Sequence, residues 1–282
     1  MKKKITILVP TDFSTASRSG MRFAIQWAQQ QDAKLVFAHA LQVVRMTGWS
    51  DQQFEAFLRA ERTLYSRRLR KVADQVCRPR NVSKEDYSIE VLEGGSADIT
   101  LTELGGKHAA VDLICMATRG AGKIKKLFGT HTGNVILRSE IPVVAVPAGY
   151  RSKRIKRILY ATDLADYASE ISRVLEITRA LDAEVMVIHF PEPGEARLDP
   201  ALANKIWQKE YGYPVKLHYE VPDPNLSIAD NLQIAIRKLK PSLVVMFTDR
   251  KRTLFQRIFY PSQTENLSFH LKAPLLVMGK KE

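Results

Sequence analysis

The amino-acid sequence predicts an α/β fold made of two tandem domains, each with a doubly wound parallel sheet. Apolar runs of strand length alternate with amphipathic helical patterns, which is typical of parallel sheets covered by helices on both faces. The order of these elements in the first half recurs in the second half, which indicates an internal duplication. The length of 282 residues also suits two domains. We expect the domains at residues 1–150 and 151–282.

The first half is predicted to contain strands that alternate with helices. The expected strands are residues 5–9, 35–40, 88–92, 111–116 and 143–146, and the expected helices are residues 16–31, 51–76, 97–106 and 130–139. Ser96 directly precedes the third helix, so we expect its hydroxyl to cap that helix. Trp27, Phe54 and Phe57 fall at helical spacing, which favours the core over a base-stacking surface. In the second helix, Leu58, Leu64, Leu69 and Val72 also fall on the apolar positions.

The second half repeats this order in a shorter form. Strands are expected at residues 155–162, 185–189, 242–246 and 274–278, and helices at residues 168–181 and after a capping Ser227. Prolines between residues 193 and 224 leave room only for a brief helix near residues 200–210. His39 and His189 end equivalent strands, which favours a structural place over a chemical role.

Residues 116–135 follow a predicted buried strand and lead into a helical pattern. They contain Gly120, Gly122, Lys123, Lys125, Lys126 and Gly129. Glycines let the backbone approach a ligand, and the unpaired amides of a helix start attract an anion, so the segment is typical of a phosphate loop. The alternative is a solvated basic connection between a strand and a helix, and the loop alone does not decide between them.

Several motifs together resemble the universal stress protein family in its tandem two-domain form. They are Val9-Pro10-Thr11-Asp12-Phe13-Ser14, the strand ending at His39, the Gly94-Gly95-Ser96 turn, Val111-Asp112-Leu113-Ile114, the glycine loop and Ile141-Pro142-Val143-Val144. The resemblance covers essentially the whole chain in the same order. It implies a Rossmann-like fold of the adenine nucleotide alpha hydrolase-like type. It also implies that the closing strands of the two domains pair as an intramolecular pseudo-dimer.

The resemblance also implies an ATP site in the first domain. The expected contacts are Pro10, Thr11, Asp12, Ala40, Met116, Ala117, Gly120, Gly129, Thr130, His131 and Thr132. Asp12 and Ala40 would lie at the adenine end, and the residues from Gly129 onward would hold the phosphates. For His131 the backbone amide is expected to matter more than the ring. Mg²⁺ could accompany ATP on phosphate oxygens and water, because no acidic pair is evident near the loop.

The first half departs from the family motif Gly-x2-Gly-x9-Gly-Ser/Thr in two ways. Ala117 stands where the first glycine belongs, and eight residues rather than nine separate Gly120 from Gly129. The alanine methyl group hinders a tight approach of the nucleotide. Gly122 lies inside the shortened loop and could absorb the missing residue.

The second half departs further. Phe247, Arg250 and Pro261 replace all three glycines, so we expect no nucleotide there. Asp163 is nevertheless retained at the position equivalent to Asp12. Asp12 therefore has two open roles, as a ligand contact or as a helix cap.

The expected function is that of a stress-associated regulatory protein that binds ATP and whose occupied loop is recognised by an unidentified protein partner. The resemblance also leaves room for a homodimer. The rivals are a scaffold of the same family that binds no nucleotide, an enzyme that splits or transfers the adenylate, and a nucleic-acid-binding protein. No nucleophile pairs with a base in the sequence, so no enzyme is expected, although slow ATP hydrolysis stays open.

Composition and charge bear on partners and compartment. The net charge of +13, from 43 basic and 30 acidic residues, suits phosphate ligands or acidic partners and equally a solvated basic surface. No RNA-binding or zinc-finger pattern occurs, so nucleic acid is not an expected partner. No apolar run reaches about 18 residues, so no membrane span is expected. The two cysteines are too few for a disulfide framework and have no metal-site spacing, which indicates a reducing compartment. We therefore expect a cytoplasmic protein, and we also expect a bacterial one.

Overall fold

The computed structural model describes residues 4–107, 111–118, 130–191, 194–195, 199–248 and 272–279. The chain folds into two compact units, Met1–Ser152 and Lys153–Glu282. The glycines of the predicted phosphate loop and most of its second-half counterpart lie outside the described residues. Within the described ranges, none of the helices combines the length and the apolar character that a membrane span needs.

The first unit is a parallel sheet with helices between its strands. Its strands are β1 (Thr6–Pro10), β2 (Lys34–Gln42), β3 (Tyr87–Gly94), β4 (Leu113–Ala117) and β5 (Val143–Val146). Its helices are α1 (Arg18–Gln31), α2 (Asp51–Cys77), α3 (Ala97–Lys107) and α4 (Thr130–Arg138). The strand order is β3-β2-β1-β4-β5, and each neighbouring pair is parallel. The order reverses between β1 and β4, and ligands of such sheets bind at the carboxyl ends of the strands beside that point.

The second unit has the same sheet order. Its strands are β6 (Arg157–Ala161), β7 (Glu184–His189), β8 (Val215–Tyr219), β9 (Leu243–Thr248) and β10 (Leu275–Gly279). Its described helices are α5 (Tyr167–Leu181), α6 (Pro200–Tyr211) and α7 (Ile228–Leu239). The order β8-β7-β6-β9-β10 is again parallel throughout. The predicted α/β class with doubly wound parallel sheets is therefore confirmed in both units.

Helix α2 has the predicted bounds to within two residues, but its buried face differs from the prediction. The buried residues are Leu58, Leu69, Ala73, Val76 and Cys77. Phe57 is 38% exposed and Leu64 is 58% exposed, so the prediction that Phe57 lies in the core was wrong. The ring of Phe57 instead packs edge-on against Trp49 at a centroid distance of 5.0 Å. Only one stripe of this long helix covers the sheet, whereas Trp27 on α1 is buried as predicted.

The helix caps also allow a comparison with the sequence. Ser227 caps α7, since its hydroxyl accepts a hydrogen bond from the Asp230 amide at 3.1 Å, as predicted. The interpretation of Asp12 as a helix cap was wrong. Helix α1 begins at Arg18 after Ser17, and the Asp12 carboxylate instead accepts a hydrogen bond from the amide of Ser14 at 3.0 Å. The residues between Asp12 and the helix form a turn of their own, which separates the carboxylate from the helix start.

Candidate functional site

The carboxyl end of β1 leads into a tight polar turn. The buried Thr11 hydroxyl accepts a hydrogen bond from the Phe13 amide at 3.0 Å. Phe13 adopts a φ of 65°, in the left-handed region that few side chains occupy. The turn leaves Asp12 exposed at the carboxyl edge of the sheet, next to the half-buried Pro10.

The end of β2 lies beside this turn. Pro10 pairs in register with Ala38, so Ala40 reaches the same sheet edge as Asp12. Ala40 itself is half-buried and open to contact. The structure therefore brings together Asp12 and Ala40, the two residues expected at the adenine end, with Pro10, another expected contact of the ATP site.

An aromatic cluster covers this part of the edge. The His39 ring lies 4.4 Å from the Phe13 ring and stacks on Tyr65 of α2 at a centroid distance of 4.6 Å. The guanidinium of Arg68 lies over the Phe13 ring at 4.2 Å, close enough for a cation–π contact. His39 Nδ1 donates to the Thr11 carbonyl at 2.8 Å. Burial lowers the pKa of His39, and the nearby Arg68 lowers it further, so the neutral ring is favoured.

The end of β4 and the start of α4 are joined directly. The Thr132 hydroxyl donates a hydrogen bond to the Ala117 carbonyl at 2.9 Å, and both residues are buried. Met116, the other expected contact on β4, is also buried. Thr130 is the first residue of α4. The hydrogen bond therefore brings the first turn of this helix, where amides lack intrahelical partners, close to the end of β4 in space. Of the expected phosphate-binding residues, Gly120 and Gly129 lie outside the described residues.

Helix α1 approaches the same strand end very closely. A Cβ atom added at Gly20 would lie 3.0 Å from the Ala117 amide nitrogen. Because real Cβ atoms rarely come that near to backbone, glycine is the residue that permits this packing. The backbone at Ala117 is thus held from one side by α1 and from the other by Thr132.

His131 is held by a carboxylate that the sequence did not single out. Asp98 of α3 is only 6% exposed and its Oδ1 lies 2.9 Å from His131 Nδ1. Its Oδ2 accepts from the Asn134 amide group at 2.7 Å. Burial opposes ionisation of Asp98, but hydrogen bonds from Asn134, Ser96 and His131 outweigh it and hold the pKa of this carboxyl well below its usual range.

Sequence reasoning missed Asp98, Tyr65 and Arg68 at this edge. Each lies on a helix far along the chain from the residue that it contacts, so no local spacing could have shown the pairing. An aspartate in the first turn of α3 was the only available signal, and it is equally typical of an ordinary helix start.

The second unit keeps the turn but fills the strand end. The Asp163 carboxylate accepts from the Ala165 amide at 3.1 Å, and His189 Nδ1 donates to the Thr162 carbonyl at 3.1 Å, as in the first unit. Phe247, at the position of Ala117, is buried, with its ring edge-on to Tyr160 at 5.9 Å. The guanidinium of Arg173 lies 5.1 Å from the Phe247 ring.

A buried glutamate replaces the glycine on the covering helix. Counted from the left-handed residues Asp32 and Asp182 that end α1 and α5, Glu170 takes the place of Gly20. The Glu170 carboxylate, 4% exposed, accepts a hydrogen bond from the Tyr160 hydroxyl. Burial and the neighbouring Glu170 raise the pKa of Tyr160. Phe247 and Glu170 therefore both pack against Tyr160 of β6.

The described part of the chain holds no group of three or more His, Cys, Asp and Glu side chains that could bind a metal ion.

This fold, with polar groups gathered where the strand order reverses, defines a tandem doubly wound α/β protein. The sequence profile of the universal stress protein family matches residues 5–147, and the chain belongs to that family. The family inferred from the sequence motifs is thereby confirmed. No curated protein matches the chain in sequence.

Solved structures show the same fold over almost the whole chain. A universal stress protein from Archaeoglobus fulgidus DSM 4304 is 17% identical, with a TM-score of 0.70, and the match covers 97% of this chain and 98% of that chain. A protein of unknown function from Pseudomonas aeruginosa PAO1 is 16% identical, with a TM-score of 0.55, over 97% of this chain and 92% of that chain. At this level of identity the likeness concerns the fold alone.

Proposed function

We propose that this universal stress protein binds ATP in its first unit, at the carboxyl ends of β1, β2 and β4, and that its second unit binds no nucleotide. The protein acts as a regulator rather than an enzyme, and a partner protein recognises the nucleotide-bound form. Mg²⁺ accompanies the nucleotide on phosphate oxygens and water.

The hydrogen bond from Thr132 to the Ala117 carbonyl carries this proposal. It brings the first turn of α4 to the end of β4, at the sheet edge where Asp12 and Ala40 also lie. A helix start of this kind favours phosphate groups. The exposed Asp12 carboxylate and the half-buried Ala40 offer a polar and an apolar contact to a base and its sugar.

The contrast between the units supports a single site. Ala117 in the first unit corresponds to the buried Phe247 in the second, and Gly20 corresponds to the buried Glu170. Both replacements add bulk next to Tyr160 of β6. A nucleotide held against the backbone there would collide with them.

An exchange of the two strand-end residues tests the proposal. We expect titration calorimetry on the wild-type protein to show one ATP per chain that depends on the strand ends of the first unit. Ala117→Phe, which copies the second unit, should weaken ATP binding at least tenfold because the ring fills the site. The matched variant Phe247→Ala should leave ATP affinity within twofold of wild type, since the second unit takes no part.

Gly129→Pro provides a second variant that copies the second unit and removes one amide. Thermal unfolding of each variant shows whether it folds. The proposal fails if wild-type protein binds no ATP and releases no nucleotide on denaturation, which is the result expected for a scaffold of the same family. It also fails if folded Ala117→Phe binds ATP as wild type does.

Exchange of amide hydrogens tests the regulatory part. Saturating ATP should slow exchange across residues 116–135, because a bound nucleotide would order the loop that a partner recognises. Identical exchange with and without ATP would exclude that switch even if ATP binds.

A further inference from the structure

A cavity lies along α2 on a face that the candidate nucleotide site does not use. Its volume is about 760 Å³, and its described lining residues come from this helix and from Arg78, which directly follows it. The cationic members are Arg62, Arg67, Arg70, Lys71 and Arg78. Tyr65 and Arg68, which contact the aromatic cluster at the sheet edge, are not among the lining residues.

Two of these cations already have carboxylate partners. Arg62 pairs with Glu93 of β3, and its Nη2 donates at 2.7 Å. Arg78 lies 3.8 Å from Asp74, the only carboxylate among the described lining residues. The Asp74 carboxylate also accepts a hydrogen bond from the Tyr87 hydroxyl.

Arg67, Arg70 and Lys71 are different. They are exposed, and they make no hydrogen bond or ion pair with any residue that the structure describes. Arg70 and Lys71 follow Arg67 by three and four positions, so the three charges lie within about one helical turn of each other. Like charges at this spacing destabilise a helix. Arg70 also lies near enough to Asp74 to lower the pKa of that carboxyl, so the repulsion among the three cations of α2 is offset only in part.

We infer that the α2 cavity binds a small, multiply charged phosphate compound through Arg67, Arg70 and Lys71. Guanidinium groups match phosphate oxygens in pairs, and the ammonium adds a compact charge. The hydroxyls of Thr63 and Ser66 also line the cavity and can donate to phosphate oxygens. The inference does not depend on nucleotide binding at the strand ends.

The size and lining of the cavity favour a small ligand over nucleic acid. Its volume of about 760 Å³ lies in the range of about 300–1,000 Å³ that small-molecule sites occupy. The described lining contains no aromatic residue on which a base could stack, although stacking is the usual means of holding single-stranded nucleic acid.

Inorganic tripolyphosphate is a suitable probe because it carries the charge without a base. We expect calorimetry on the full chain to show that Arg67→Gln/Lys71→Gln loses one tripolyphosphate per chain or binds it at least tenfold more weakly. The thermal midpoint of this double variant without ligand should equal or exceed that of wild type, because the repulsion within α2 is reduced.

The second unit offers a matched control. Lys205 and Lys209 are exposed cations with the same four-residue spacing on α6. Lys205→Gln/Lys209→Gln should bind tripolyphosphate within twofold of wild type. The inference is overturned if wild-type protein binds no tripolyphosphate, or if both double variants bind it equally.

A further outcome separates this site from the candidate nucleotide site. If Ala117→Phe removes all tripolyphosphate binding while Arg67→Gln/Lys71→Gln removes none, the anion occupies the strand-end site. That result would overturn the α2 site while supporting the proposed nucleotide site. Loss of ATP binding in Ala117→Phe with tripolyphosphate binding retained at α2 would support both.

Discussion

Asp98 organises the start of α4 through contacts that reach from a neighbouring helix. Its two oxygens meet His131 and Asn134, which lie three positions apart on α4. The His131 side chain is 60% exposed, so the Nδ1 edge of the ring is bonded to Asp98 while much of the ring stays open to solvent. The orientation of His131 at the candidate phosphate end therefore depends on Asp98.

The low pKa of Asp98 predicts a pH effect with a definite sign. A carboxyl whose pKa is lower in the folded protein stabilises the fold above the pKa of the unfolded chain, about 3.9, and this contribution is lost as the pH falls below it. Asp98→Asn should lower the free energy of unfolding at pH 7 by about 1–3 kcal/mol. Urea unfolding between pH 7 and pH 3 should show a smaller loss for this variant than for wild type.

Asp51 provides the control for this experiment. It is an exposed aspartate in the first turn of α2 that pairs with Arg45 at the surface. Because exposed ion pairs contribute little, Asp51→Asn should follow the wild-type pH dependence. An equal pH dependence of wild type and Asp98→Asn would contradict the role given to Asp98.

The sequence predicted the roles of some residues better than those of others. The repeated histidine at the ends of two strands indicated a structural place, and His39 and His189 each donate to a carbonyl of the preceding turn. Asp12 was ambiguous because an aspartate before a helix can cap it or bind a ligand. The structure excluded the cap, because the Asp12 carboxylate bonds within its own turn and α1 begins only at Arg18. The sequence could not show this, because the path of the turn depends on its backbone dihedral angles.

Among the elements, α2 distinguishes the first unit most clearly from the second. It spans Asp51–Cys77 and begins with a capping box in which Ser50 and Gln53 exchange hydrogen bonds. Its counterpart α6 is the shorter helix Pro200–Tyr211. The presence of α2 was evident from its long helical pattern, but its buried stripe was not. Several apolar residues at helical spacing defined more than one candidate face.

Two leucines of α2 test which stripe supports the fold. Leu69 is completely buried, whereas Leu64 is 58% exposed. Leu69→Ala should lower the free energy of unfolding by about 2–5 kcal/mol, because it leaves a cavity. Leu64→Ala should change it by no more than about 0.5 kcal/mol. Chemical denaturation measures both, and similar losses in the two variants would mean that α2 packs on a different face.

At the scale of the whole molecule, the two cysteines report on the unfolding of the first unit. Cys77 and Cys115 are each 1% exposed, and they belong to α2 and β4 of the first unit. Burial raises the pKa of Cys77 to about 12 and also raises that of Cys115. The reactive thiolate is therefore scarce and shielded in the folded protein.

Thiol labelling should follow from this burial. At pH 8 the folded protein should react slowly with an aromatic disulfide reagent, and both thiols should react at once in denaturant. A control with free cysteine gives the rate of an unshielded thiol. Rapid labelling of either residue in the folded protein would show that the first unit opens locally without unfolding.

The duplication shows how the same fold can retain a turn while larger side chains fill the neighbouring strand end. Both units keep the aspartate turn and the histidine that donates to it. Only the second unit carries Phe247 and Glu170 at the strand end, both buried. The sequence revealed the phenylalanine because it interrupts a glycine motif. Glu170 went unnoticed because its counterpart, Gly20, lies on a helix outside that motif.

The sequence by itself determined the fold class, the succession of strands and helices along the chain, the duplication and the family. These properties follow from apolar periodicity and turn residues, which are local features of the sequence. Only the tertiary structure decided which side chains meet across the sheet edge. The contacts of Asp98 with His131 and of Tyr65 with His39 depend on the packing of elements that are distant in the chain, and local sequence patterns do not record that packing.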